Sequence, residues 1–145
     1  MNLEEDLREF VALLNALDVR YVIVGAFAVA YHGYPRFTGD IDIFVERSHE
    51  NARRLLDAIE QFGFGELNIS AEDFSHEDQV IQLGVAPCRI DLLTFLSGVN
   101  FQEVWATRKY GELDGLTVPF ISKELLRKNK EASGRSQDLA DLEHL

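Results

Sequence analysis

The sequence predicts an α/β (α+β) fold, a mixed β-sheet with helices packed on it. Three observations lead there. Apolar patterns of helical and strand period alternate along the chain, and only a few residues separate successive elements. With 46% of its 145 residues apolar, the chain can bury one core but not two of ordinary size. No repeat, low-complexity tract or Pro/Gly/Ser linker divides it, so residues 1–145 read as a single domain.

Leu3, Leu7, Phe10, Val11, Leu14 and Leu17 recur at helical spacing, and Glu4, Glu5 and Asp6 sit in the first turn, where the dipole favours acids. Tyr21-Val22-Ile23-Val24 is short, β-branched and apolar and ends at Gly25, as a buried strand running into a tight turn does. Ala26 to Tyr31 form a short small-residue helix closed by Gly33 and Pro35. From Asp40 to Glu46 the chain alternates. Asp40, Asp42, Phe44 and Glu46 face one way and Ile41, Ile43 and Val45 the other, giving a half-exposed strand with an acidic end. Ser48 caps a helix carrying Leu55, Leu56, Ile59 and Phe62, which Gly63 and Gly65 end.

Two strands follow, Gln79 to Val85 and Cys88 to Thr94. Asn100 and Glu103 have the spacing of a capping box and open a short helix through Trp105. Lys109 to Leu113 and Leu116 to Phe120 flank Asp114-Gly115, a strong hairpin signal. Ser122 opens a helix to about Ala132 that Gly134 stops. Ser136 to His144 form the last helix, with Leu139 and Leu142 on its apolar side.

The net charge of −11 argues against a long duplex-DNA footprint and against an anionic membrane surface, so any nucleic acid must meet a local basic patch. No apolar run approaches the roughly 18–20 residues of a membrane span, and MNLEEDLREF is acidic rather than signal-like. A cytoplasmic protein is expected. The single cysteine, Cys88, has no partner for an internal disulfide and reads as a small buried strand residue.

Asp40-Ile41-Asp42 is the first candidate for chemistry, because strand residues two apart project from one face and can hold a divalent cation. With 11 Asp in the chain, such a spacing arises about once by chance, so context carries the argument. Adjacent acids repel, yet Ile41, Ile43, Phe44 and Val45 hold this strand in the core. Asp91 lies between Ile90 and Leu92 on another apolar strand and needs either a base, such as Arg89, or a metal. Three carboxylates from two strands suit two magnesium ions with shared ligands.

Gly25-Ala26 makes a turn into a helix N-terminus, where backbone N–H groups bind phosphate. Sharing one site with Asp40 requires the first two strands to be antiparallel. The glycines fit neither the P-loop nor the Rossmann pattern. Arg36 and Thr38, on the loop entering the acidic strand, can contact a nucleotide, brace the Asp pair or simply stabilise the turn. Tyr31, Tyr34 and Phe37 read as packing under that loop, Trp105 as core, and the four histidines show no ligand spacing. Lys123, Arg127, Lys128, Lys130 and Arg135 make the segment after Phe120 locally basic. Asp138 and Asp141, three apart on one helix face, can orient Lys130 or Arg135, or cap the helix.

The stretch VGAFAVAYHGYPRFTGDIDIFV resembles the glycine turn, short helix and Asp-x-Asp strand of the nucleotidyltransferase superfamily with a DNA-polymerase-beta-like palm. RIDLLT resembles its third-acid strand. The Arg-x-Thr-x-Asp-Ile-Asp spelling and the tail KNKEASGRSQDLADLE are similar to the small prokaryotic branch that includes abortive-infection-type toxin nucleotidyltransferases. Together these cover roughly residues 20–94 and 122–143.

The resemblance implies a nucleotidyltransferase-like fold. An NTP would bind against Gly25, Ala26, Arg36, Thr38, Lys130 and Arg135, and Asp40, Asp42 and Asp91 would hold two Mg2+ ions, or Mn2+ in their place. With Asp91 as base, an acceptor hydroxyl on a small molecule, a tRNA end or a protein would attack the α-phosphorus and release pyrophosphate. A second copy of the chain or an antitoxin partner would complete the cleft. Ala26 stands where the family usually has Gly or Ser, so a hydroxyl that would reach the phosphate is missing. That motivates an alternative: a nucleotide-binding or toxin–antitoxin interaction module with the same fold and weak or no catalysis.

Overall fold

A computed structural model describes residues 5–35, 39–63, 69–85 and 88–145. Arg36, Phe37, Thr38, Gly65 and the side chain of Cys88 lie outside what is described. The elements are α1 (Glu5–Ala16), β1 (Tyr21–Val24), α2 (Gly25–Tyr31), β2 (Asp40–Val45), α3 (His49–Phe62), a 3-10 turn (Ala71–Phe74), β3 (Val80–Val85), β4 (Cys88–Leu93), α4 (Phe101–Ala106), β5 (Lys109–Leu113), β6 (Leu116–Phe120), α5 (Lys123–Ser133) and α6 (Ser136–Leu142).

The strands form one mixed sheet in the order β3-β4-β2-β1-β6-β5. β1 pairs antiparallel with β2 and parallel with β6, β2 runs parallel to β4, and β3–β4 and β5–β6 are antiparallel. Having partners on both edges, β1 is buried at all four residues, which is why it reads as an uninterrupted apolar run. β2 alternates as expected at its start. Phe44, on the acidic face, is nonetheless buried, with its ring edge-on to Phe101 of α4 at 5.2 Å. The site end of that face is therefore open and the far end sealed.

The element boundaries follow local chemistry. Ser48 accepts the Asn51 N–H at 3.1 Å to start α3, and Gly63 ends it with φ 105°. Asn100 and Glu103 form the reciprocal capping box of α4. Asp114 and Gly115 both have positive φ, as a two-residue type I′ hairpin demands. α1 packs on α3 through Leu7, Phe10, Val11 and Leu14. Lys123–Ser133 and Ser136–Leu142 lie against each other, and α5 also meets α2.

The last helix departs from expectation. Leu139, assigned above to its apolar side, is 52% exposed, whereas Asp138 and Asp141 are 2% and 0% exposed. The helix turns its acids inward because they meet a buried lysine of α5, and that charge pairing outweighs the burial of one leucine.

Asn51 ties the sheet to α3. Its Oδ1 accepts the Arg20 N–H at 2.7 Å, and its Nδ2 donates to the carbonyls of Arg20 (3.0 Å) and Glu46 (2.9 Å). One buried amide thus serves the backbone just before β1 and just after β2. Asn51→Ala leaves these groups unpaired and is expected to destabilise the protein by about 2–4 kcal/mol, measured by urea unfolding.

Candidate active site

The site begins where β1 meets α2. The antiparallel register sets Val24 opposite Asp42, so the turn that follows β1 lies beside the acidic strand, as the sequence required. Gly25 has φ +67°, and a Cβ there would overlap the Asp42 carboxylate, lying 2.9 Å from its Cγ. Glycine is needed twice over, for the backbone and for the space. Val24, the N-cap of α2, gives no side-chain hydrogen bond to the helix, so the turn offers its first N–H groups without a cap of that kind. Ala26, the next residue, is 7% exposed.

β2 and β4 supply the acids. Their parallel register places Asp42 directly opposite Asp91, and Asp40 opposite Arg89. The Asp42 and Asp91 carboxyls lie within hydrogen-bonding reach. Burial, reinforced by the Asp91 and Asp40 charges, pushes the Asp42 carboxyl up to about 6, while Lys130 pulls the other way. Of the two partners open to Asp91, the structure contains the base. Arg89 Nε donates to Asp91 Oδ1 at 2.9 Å, and its Nη2 donates to Asp91 Oδ2 at 3.2 Å and to Asp40 Oδ2 at 3.1 Å.

Among the described residues no three His, Cys, Asp or Glu side chains form a ready metal cage. Asp42 and Asp91 come together, and Asp40 is joined to them through Arg89. This pair does fit a hard divalent cation. Both donors are carboxylate oxygens on adjacent strands, and the burial and mutual repulsion that together raise the Asp42 pKa are what such an ion would offset.

The basic tail reaches the same place in an unexpected way. Lys130 is buried, and its Nζ lies 3.0 Å from both Asp138 Oδ1 and Asp141 Oδ2. Asp138 also accepts from Ser133 and, at 2.9 Å, from Arg135 Nε. Of the alternatives for Asp138 and Asp141, orienting Lys130 and Arg135 is the one found. The two cations differ sharply, because the Arg135 side chain is 79% exposed and that of Lys130 only 5%. Both charges are nevertheless felt at Asp42. Burial opposes the Asp138 charge, but hydrogen bonds from Arg135, Ser133 and Lys130 outweigh it and hold this carboxyl well below the usual range.

Tyr31 stacks on Phe120 at 4.1 Å and Tyr34 on His144 at 3.7 Å, so both aromatics pack rather than face the site. Trp105 is only partly buried and carries the Arg108 guanidinium over its ring at 3.7 Å. Arg36 and Thr38 fall outside the described residues. The sequence offers Arg89 only as a base for Asp91. Its spacing of two from that acid on a strand was the signal that it shares the carboxylates' face.

Residues 6–145 match the family model described as aminoglycoside-2''-adenylyltransferase. The chain belongs to that family. It is accordingly a member of a nucleotidyltransferase family, as the glycine turn and acidic strands imply. A crystal structure from Thermotoga maritima, of a protein provisionally assigned as a nucleotidyltransferase, superimposes with a TM-score of 0.66 at 18% identity. The match covers 95% of this chain and 88% of that one, and it shows a shared fold. No curated protein matches the sequence.

Two expectations follow for this family member. Gly25→Ala should cost about 1–2 kcal/mol for the left-handed backbone alone and displace Asp42 as well, so urea unfolding should shift by at least that amount. The Asp138 carboxyl lies lower in the folded than in the unfolded protein, so its contribution to stability is present above the unfolded value and lost as pH falls through the folded one. The stability gap between wild type and Asp138→Asn should therefore be full at about pH 6 and shrink below about pH 4, read by urea titrations across that range.

Proposed function

We propose that the protein is a divalent-metal-dependent nucleotidyltransferase that moves a nucleoside monophosphate from an NTP to an acceptor hydroxyl. The observation that carries this reading is the in-register pair Asp42–Asp91 packed against the Gly25 turn. Carboxylates for a metal and backbone donors for phosphate thus share one end of the sheet.

Asp42 and Asp91 would hold the ion, with Asp40 on the same face as a further ligand. Bound there, Mg2+ or Mn2+ would neutralise phosphate charge and make the attacking oxygen more acidic. The N–H groups at Gly25 and Ala26, which receive no side-chain cap from Val24, would hold a phosphate, and Arg135, exposed and anchored by Asp138, would meet the triphosphate from the other side. Lys130 acts from beneath, as a buried charge that keeps Asp138 and Asp141 in place and adds positive potential at Asp42. The acceptor oxygen forms its bond to the α-phosphorus as the bond to pyrophosphate breaks, and Asp91 takes the hydroxyl proton. The family name points to ATP as donor and an aminoglycoside hydroxyl as one acceptor to try. A tRNA end, a protein side chain and other small molecules are the remaining ones.

The test is incubation with Mg2+, each α-labelled NTP and each acceptor class. Pyrophosphate release is expected, and Asp42→Asn should reduce it by at least about 100-fold. Nucleotide binding with no release under any acceptor would favour the binding-module alternative.

A further inference from the structure

Arg89 lies among the candidate metal ligands, and a guanidinium cannot itself ligate a metal. One guanidinium makes three hydrogen bonds to two of the three candidate ligands, Asp40 and Asp91. The placement is built into the sheet, because Arg89 is opposite Asp40 in the β2–β4 register and two residues before Asp91 on the same strand face. A bidentate Arg–carboxylate pair is among the stronger charge-assisted contacts, and here the fork is completed by a second acid. A divalent ion bound there would compete with this guanidinium for the same oxygens.

Resting on the metal-dependent reading above, we propose that Arg89 is an internal competitor cation that couples metal binding to nucleotide binding. In the nucleotide-free protein it neutralises Asp40 and Asp91, so a bare ion gains those carboxylates only by leaving a guanidinium without its anions. A metal–NTP complex removes that penalty, since the triphosphate brings new anions to the face on which Arg89 lies. The device makes the site bind the metal–nucleotide complex in preference to the free metal.

The experiment measures Mn2+ binding by the paramagnetic resonance of the free ion, for the full chain, with and without α,β-methylene-ATP. Arg89→Gln should bind bare Mn2+ about 5–10-fold more tightly than wild type. The nucleotide analogue should tighten Mn2+ binding by wild type at least about 5-fold and by the variant clearly less. In EDTA the variant should also melt below wild type and recover more on adding Mn2+, because its carboxylates have lost their cation. Arg89→Lys, which keeps the charge but loses the fork, should fall between the two and serves if the glutamine variant does not fold. Equal or weaker binding of bare Mn2+ by both variants, or undiminished coupling to the nucleotide, would overturn the proposal. Those results would leave the metal reading intact, provided wild type binds Mn2+ and Asp42→Asn does not. Absence of Mn2+ binding by wild type with the nucleotide analogue would instead sink that reading, and the role of Arg89 with it.

Discussion

Asp42 and Asp91 stand side by side because β2 and β4 are parallel and in register, and most of the architecture around them answers that juxtaposition. Burial first, and then the charges of Asp91 and Asp40 beside it, raise the Asp42 pKa to about 6. Their neighbours are correspondingly specialised. Gly25 lacks the side chain that would occupy the Asp42 carboxylate's space, Arg89 reaches across the pair of strands, and Lys130 and Arg135 approach from the end of the chain. None of these contacts is local in sequence except Arg89 to Asp91.

The C-terminal helices owe their form to the same demand. A buried lysine needs anions, and Asp138 and Asp141 supply them at the expense of exposing Leu139. An ion triad of this kind adds little stability by itself, since desolvation offsets much of the attraction. What it does secure is position. The network fixes Arg135, whose guanidinium is exposed, at the turn between α5 and α6, and it holds a positive charge near Asp42 in a place that solvent does not screen.

Most of the fold was legible because the apolar period changes cleanly from 3.6 to 2 and the ends carry caps: Ser48, Asn100 with Glu103, Ser122, Gly134 and the Asp114-Gly115 turn. Even the antiparallel pairing of β1 and β2 followed from requiring Gly25 and Asp40 to share a site. Three features were not readable in this way. Nothing in a single strand reveals that β2 lies next to β4 in parallel, so the pairing of Asp40 with Arg89 had to await the topology. Periodicity misread α6, because a hydrophobic count assumes that acids face water, whereas these two face Lys130. Nothing in the helical pattern marks Asn51 as the residue that hydrogen-bonds the backbone at the ends of two strands.

The overall −11 disfavours a long polyanion, but the site has its own balance. Asp40, Asp42, Asp91, Asp138 and Asp141 are gathered around three permanent cations, Arg89, Lys130 and Arg135. Among the described residues these acids outnumber those cations, and burial, with the Asp91 and Asp40 charges added to it, favours the neutral form of Asp42. A divalent cation, in the reading proposed above, would be another answer to the same gathering of carboxylates. The two solutions make different demands on Arg89: a proton on Asp42 leaves its bonds to Asp40 and Asp91 intact, whereas an ion that takes those carboxylates must release it. In the reading proposed above, an arriving triphosphate would accept both the ion and the freed guanidinium, so acidity at this site would favour a metal–nucleotide complex over either component alone.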